Sequence, residues 1–155
     1  MKNKLIVFVC SCIVMLLCSS CNVNTACSPD KMGKSLYSND MVNQNIIMSV
    51  KESSVHPETE QLTLIITNKT NKEYNYGYEQ VLEIKLDGIW YDVPMKKDAA
   101  WIELAVILSG QATQDMQFQF KNFYENLCPG EYRIIKTFYG MDGKETAAVQ
   151  FTISA

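Results

Sequence analysis

Two regimes of hydrophobic patterning divide this chain. Leu5 to Cys18 form an almost unbroken apolar run of about 14 residues, whereas from about residue 45 onward apolar residues come in short or alternating stretches separated by turn residues. The second regime predicts strands. "IIMSVKE" (46–52) comes first, then "LTLIITN" (62–68), rich in β-branched residues and closed by "NKTN". In "VLEIKLDGIWYDVP" (81–94), Leu82, Ile84 and Leu86 alternate with Glu83 and Lys85, and Asp87-Gly88 suits a two-residue hairpin turn. "WIELAVILS" (101–109) and "TQDMQFQF" (113–120) follow, the latter with Met116, Phe118 and Phe120 on one face. Residues 121–129 suit a single helical turn, and "EYRIIKTFYG" and "KETAAVQFTIS" flank "MDG", a second Asp-Gly turn, as a terminal antiparallel pair. No stretch of ten or more residues keeps a 3.6-residue period. The pattern predicts one all-β domain at 44–155 with seven to eight antiparallel strands, large enough to bury a core without metal or disulfide help.

The first regime has a different meaning. Lys2 and Lys4 precede an apolar run that is too short to span a bilayer, for which about 20 residues are needed, and that fits an export signal. Ser19, Ser20 and Cys21 follow, and "LLCSSC" resembles the lipobox of bacterial lipoproteins, with Cys18 where that motif usually has Leu. The resemblance implies a signal peptide at 1–20, removed before an acylated Cys21 that holds the chain on a membrane. Residues 21–43 are then a lipidated cysteine and a polar tether, whose flexible span would be about 25 Å.

This boundary changes how cysteines and charge are counted. Of six cysteines, Cys10, Cys12 and Cys18 fall in the signal and Cys21 is taken by lipid, leaving Cys27 and Cys128. They are read either as a disulfide or, since Cys27 lies in a polar stretch, with Cys128 a free and partly buried thiol. Loss of Lys2 and Lys4 leaves 12 basic against 17 acidic residues. An acidic chain without a Lys/Arg stripe argues against nucleic-acid partners and offers no polybasic patch to anionic lipid.

Within the strand-rich part, Tyr76-Gly77, Leu82-Glu83, Asp87-Gly88, Trp90-Tyr91 with Val93-Pro94, and Pro129-Gly130-Glu131-Tyr132-Arg133 leading into Phe138 form an ordered set. The span from about 45 to 153 resembles the bacterial immunoglobulin-like domains of secreted and lipid-anchored proteins. That resemblance implies an immunoglobulin-like antiparallel β-sandwich. It makes Tyr132 the tyrosine whose hydroxyl returns to the preceding loop, and puts Ile134 where antibody domains carry a cysteine, opposite Leu64 or Ile66. Trp90, Gly130, Tyr132 and Ile134 are the expected structural residues.

Catalytic motifs do not emerge. His56, the one histidine, sits in the polar loop "SSVHPETEQ" and reads as solvated; no zinc set, nucleophile elbow or phosphate loop is visible, and no cofactor is expected. Glu83 reads as part of an ordinary solvated face, and Trp101 as core or rim. Tyr74, Tyr76 and Tyr78 in "EYNYGYE" share one side of an extended strand. They either cover a sandwich edge or turn inward, or, through Tyr74 and Tyr78, form a candidate binding surface for protein or glycan. The leading expectation is a non-enzymatic, lipid-anchored envelope protein. A periplasm-facing accessory lipoprotein that modulates an envelope enzyme or sensor is the alternative, and a small hydrolase a third.

Overall fold

The computed structural model describes residues 27–38 and 45–155. The expected signal peptide and the acylated Cys21 lie outside these residues, as do 22–26 and 39–43 of the expected tether and residue 44 of the expected domain. In chain order the strands are β1 (Gly33–Lys34), β2 (Ile46–Val50), β3 (Gln61–Asn68), β4 (Tyr74–Tyr76) and β5 (Val81–Leu86). They continue with β6 (Ile89–Asp92), β7 (Val106–Leu108), β8 (Thr113–Gln119), β9 (Gly130–Gly140) and β10 (Gly143–Ile153); one helical turn, α1 (Phe120–Phe123), precedes β9. Among the described residues this exceeds the expected seven to eight strands, chiefly because β1 and the short β4 also join the ladder.

Two antiparallel sheets enclose the core, as a β-sandwich requires. One has the order β2-β3-β8; the other runs β1-β6-β5-β9-β4-β7, with β10 paired to the remaining edge of β9. Leu62, Leu64 and Ile66 of β3 and Phe118 of β8 meet Leu82 and Ile84 of β5 and Tyr132, Ile134 and Phe138 of β9 in one buried cluster. These are the alternate residues of each strand, so the two-residue period sets which face is inside. Burying side chains of this size contributes about 1.5–3 kcal/mol each.

Strand β9 organises its sheet. Along one edge it pairs β10 over its whole length, while its other edge pairs β5 at residues 131–135 and β4 at 139–140. Between those two partners the crossover 77–80 interrupts the ladder, and Lys136 fills the gap. Its Nζ donates to Gly77 O at 2.8 Å and Glu79 O at 2.9 Å, and burial pushes its pKa down to about 8.

Turn chemistry agrees with the sequence at one hairpin and differs at the other. Leu86 pairs Ile89, so Asp87 and Gly88, both at positive φ (50° and 80°), are the central pair. At the last hairpin Gly140 pairs Gly143, so the two-residue loop is Met141-Asp142, and the expected Asp-Gly turn is displaced by one residue. The expected strand 101–109 is also shorter. Only Val106–Leu108 pairs with β4, and Ile102 and Leu104 remain outside any sheet and exposed.

Residues 27–38 are not a free tether. A 3-10 turn at Pro29–Lys31 leads to β1, which extends the sheet beyond β6 through Gly33–Asp92 and Lys34–Tyr91 pairing and the Ser35 N–H to Trp90 O bond. Cys27 is disulfide-bonded to Cys128, with Cα atoms 6.3 Å apart. The expectation of a free Cys128 thiol is therefore corrected: polar composition suggested mobility, but backbone pairing along β6 brings Cys27 to the loop before β9.

Candidate functional site

Three features build the outer surface of the larger sheet. The first is a sealed polar cluster. Glu83 and Arg133 are cross-strand partners pointing away from the sandwich core, yet both are wholly buried. Arg133 Nε donates to Glu83 Oε2 at 2.5 Å, its Nη1 to Ser38 O at 2.9 Å and its Nη2 to Ser35 Oγ at 3.1 Å. Ser35 Oγ in turn donates to Glu83 Oε1 at 2.5 Å and accepts from the Tyr37 N–H at 3.0 Å. The segment 33–38 thus covers the pair and saturates it, as a buried ion pair requires. The solvated face expected for Glu83 is corrected on this ground.

Asp92 lies beside Glu83 across the ladder. Burial first, then hydrogen bonding and charge repulsion from Glu83, push its carboxyl up to about 6, against the lowering effect of Arg133. Two carboxyls side by side under a covering segment, hydrogen-bonded to each other, leave no room for a sugar between them, unlike the flanking pair of a glycosidase. Trp90 belongs to this outer layer as well. It is buried beneath the Arg133 guanidinium, 4.5 Å above its ring, with Nζ of Lys85, its cross-strand partner on β5, 5.6 Å from the ring. Trp90 is thus structural but outside the sandwich core.

The second feature is the corner before β9. Tyr132 Oη donates to Cys128 O at 2.8 Å and accepts from the Cys128 N–H at 3.1 Å, with the ring buried against Phe151. Burial raises its hydroxyl to about 12, so the bond is made by a neutral phenol. Ile134 is wholly buried in the same cluster as Leu64 and Ile66. The one disulfide among the described residues is therefore not between the two sheets; it ties the N-terminal segment to the residue that Tyr132 clamps. Gly130 opens β9 against Ile153, and an added Cβ there would meet Ile84 Cδ1 at 3.5 Å, an ordinary contact.

The third is an apolar ledge. Asn75 pairs with Tyr139 of β9 on one side and Ile107 of β7 on the other, so the three form a row on the outer face. Tyr139 is 48% exposed, Ile107 53% and Ile102 65%. Beside the row, Tyr78, Ile102, Leu104 and Tyr139 line a shallow groove of about 370 Å³.

The structure separates the two tyrosines expected to form one surface. Tyr74 is buried with Oη donating to Glu145 Oε1 at 2.5 Å, and Tyr76 is buried against Phe138 with Oη donating to Gln114 Oε1 at 3.0 Å. Only Tyr78 reaches the ledge, because β4 ends at Tyr76 and the chain leaves the strand at Gly77. Tyr139 was not singled out in the sequence; the period that buries Phe138 was the available signal, since it sends Tyr139 outward. Trp101 stacks on Phe123 with ring centroids 3.7 Å apart, a rim position. His56 stays in its loop, with its N–H donating to Thr59 Oγ1 at 2.9 Å. Among the described residues no three His, Cys, Asp or Glu side chains assemble as a metal site, and no helix is long and apolar enough to cross a membrane.

A family profile described as "Bacterial Ig-like domain" matches residues 42–152. No curated protein sequence matches the chain. Among solved structures it is similar to "Archaellum periplasmic stator protein complex FlaF and FlaG from Sulfolobus acidocaldarius", at 11% identity and a TM-score of 0.41, covering 76% of this chain and 96% of that one.

Proposed function

The chain belongs to the bacterial Ig-like domain family, and from that premise we propose that it is a non-enzymatic, envelope-associated binding module, anchored through acylated Cys21, that holds a protein partner on the Tyr139–Ile107 ledge. The ledge carries this reading. Its solvent-facing side chains are Tyr139 with Tyr78 beside it and the aliphatic Ile102, Leu104 and Ile107, with Asn75 within the row and Glu79 and Glu103 at the groove. Over Ile102, Leu104 and Ile107 a protein apolar side chain leaves no polar group unpaired, whereas a glycan there would depend on Asn75, Glu79 and Glu103 at the margin for all its hydrogen bonds. The family supports a contact role in place of a reaction, since a sandwich of this kind is a scaffold whose function lives in its exposed surface.

The anchor and the ledge are tested separately. Metabolic labelling with a fatty-acid analogue is expected on the wild-type chain and absent from Cys21→Ser; undiminished label in the variant overturns the anchor. For the ledge, a photo-crosslinking residue at Tyr139 in cells is expected to yield one discrete protein adduct. The same residue at Gln117, exposed on the opposite sheet, is expected to yield none, and adding Ile107→Asp should remove the Tyr139 adduct. Adducts equal at both positions, or a Tyr139 adduct that is glycan alone, overturn the protein-binding reading. Whether the adduct forms before or only after opening of the outer envelope separates a surface role from the periplasm-facing accessory role.

A further inference from the structure

The N-terminal segment meets the sandwich at one end only, and that end is defined by register. Gly130 pairs Ile153 where β9 begins and Gly140 pairs Gly143 where it finishes, so β9 spans the domain from Cys128 to the Met141-Asp142 turn, about 33 Å for 11 residues. The Cys128 end also carries the Asp87-Gly88 turn, because Lys85 pairs Glu131. It further carries the loop 53–60, since Ser154 N–H donates to Val55 O and Lys121 Nζ reaches Glu60 Oε1 at 2.6 Å. At the opposite end lie the Met141-Asp142 turn and the 69–72 turn, joined by Lys72 to Asp142 at 2.6 Å. The ledge sits toward that end, since Tyr139 is next to the last residue of β9.

Cys27 is six residues after Cys21. At no more than about 3.3–3.6 Å per residue, six residues reach at most about 20 Å. Without the disulfide the next residue held by the sandwich is Met32, packed against the core 11 residues from Cys21, and the limit rises to about 36–40 Å. That exceeds the length of β9, so either end of the domain would then reach the lipid. Charge does not supply the missing orientation: the Cys128 end exposes Glu58, Glu60, Asp87 and Glu125 beside Lys121, so it offers no net positive patch to an anionic headgroup layer.

We propose that the Cys27–Cys128 disulfide is a short leash that turns the Cys128 end of the sandwich, with its 53–60, 86–89 and 121–128 loops, toward the bilayer and holds the Tyr139–Ile107 ledge on the membrane-distal half. The inference rests on the acylated-Cys21 reading. It assigns the membrane itself as the partner of one end of the domain and gives Tyr132 a second role, because the residue it clamps through two backbone hydrogen bonds is the one that carries the leash.

The test uses the full acylated chain on vesicles of phosphatidylcholine and phosphatidylglycerol containing a headgroup-attached quencher. A fluorescent unnatural residue is placed at Glu125 or, in a second protein, at Met141, both exposed. Flotation is read first. The wild-type chain is expected to float and Cys21→Ser to remain below; a wild-type chain that does not float overturns the anchoring reading and this inference with it. In floated protein, quenching at 125 is expected to exceed that at 141 by about twofold or more, given the leash span. A 12-residue Gly/Ser insertion after Val23 lengthens the leash while leaving the disulfide and fold in place, and is expected to bring the two signals together. The double variant Cys27→Ser/Cys128→Ser should do the same, with tryptophan fluorescence reporting that it remains folded. Equal quenching at both positions in the floated wild-type chain, or a difference that survives the insertion, overturns the leash while leaving the anchor standing.

Discussion

Arg133 Nε lies 2.5 Å from Glu83 Oε2 on the outer face of the sandwich, with both side chains shut off from water by residues 33–38 of the same chain. An ion pair in that position is costly to break and cheap to replace. Removing one partner leaves the other charge buried, so Arg133→Met and Glu83→Leu are each expected to destabilise by about 3–5 kcal/mol. The double variant should recover most of the loss, because neither charge then remains. Urea titration of the three variants as a double-mutant cycle measures this, and additive losses would show that the pair does not interact.

Asp92 makes the cluster sensitive to pH. Its carboxyl is raised from 3.8 to about 6 in the folded chain, chiefly by burial and then by Glu83. The folded state therefore binds this proton more tightly than the unfolded state does. The sign follows: the stabilisation is full below about pH 4 and is lost as pH rises through about 6. The groups facing it are Glu83, Arg133 and Tyr37. Asp92→Asn is expected to remove that component of the pH dependence and to raise Tm near neutral pH by roughly 4 °C. A wild-type Tm and an Asp92→Asn Tm that fall in parallel between pH 4 and 7 would exclude Asp92 as its source.

Loss of the Tyr132 hydroxyl leaves the buried Cys128 N–H and C=O each short of one partner. Tyr132→Phe is expected to cost about 1–3 kcal/mol, a drop of several degrees in Tm, with no change in β-sheet circular dichroism. An unchanged melting point would mean that the corner bond adds nothing to stability.

Breaking the disulfide acts on a different state. It closes a loop between positions 101 apart, and the chain-entropy model assigns such a loop about 4.7 kcal/mol, with about 2–4 usual in practice. Cys27→Ser/Cys128→Ser is expected to lower stability within that range while β1 stays paired to β6. Protection of the Ser35 amide in hydrogen exchange reports the second half: its bond to Trp90 O should persist.

Gly110 is a steric requirement. A Cβ there would fall 2.6 Å from the Asn71 carbonyl carbon and oxygen, both backbone atoms that cannot swing aside. Gly110→Ala is expected to destabilise by about 1–3 kcal/mol by pushing the 69–72 turn away from β7. Calorimetry on this variant beside Gly88→Ala separates clash from φ strain, because nothing lies within 4 Å of Gly88 while its φ is +80°.

Local pattern was sufficient for the all-β class, for the inward faces of β3, β5, β8 and β9, and for the Asp87-Gly88 hairpin. Each depends on a two-residue period or on a single positive-φ position, and both are properties of neighbouring residues. The places of Tyr132 and Ile134 were implied by the immunoglobulin-like resemblance, while the two bonds to Cys128 and the neighbours of Ile134 are features of the tertiary structure. Tertiary structure decided everything that depends on what covers a polar face. Glu83 and Trp90 alternate outward like solvated residues and are buried only because residues 33–38, about 50 positions earlier in sequence than Glu83, return to pair with β6. The same return joins Cys27 to Cys128, although composition around Cys27 suggested a tether. Tyr74 and Tyr78 share a parity in sequence but part where the strand ends at Tyr76, and Ile107 and Tyr139 meet only because Asn75 of β4 lies between their strands. Period determines which side of a strand a residue occupies; which partners or which solvent await it there is set by long-range pairing, and no local pattern encodes that.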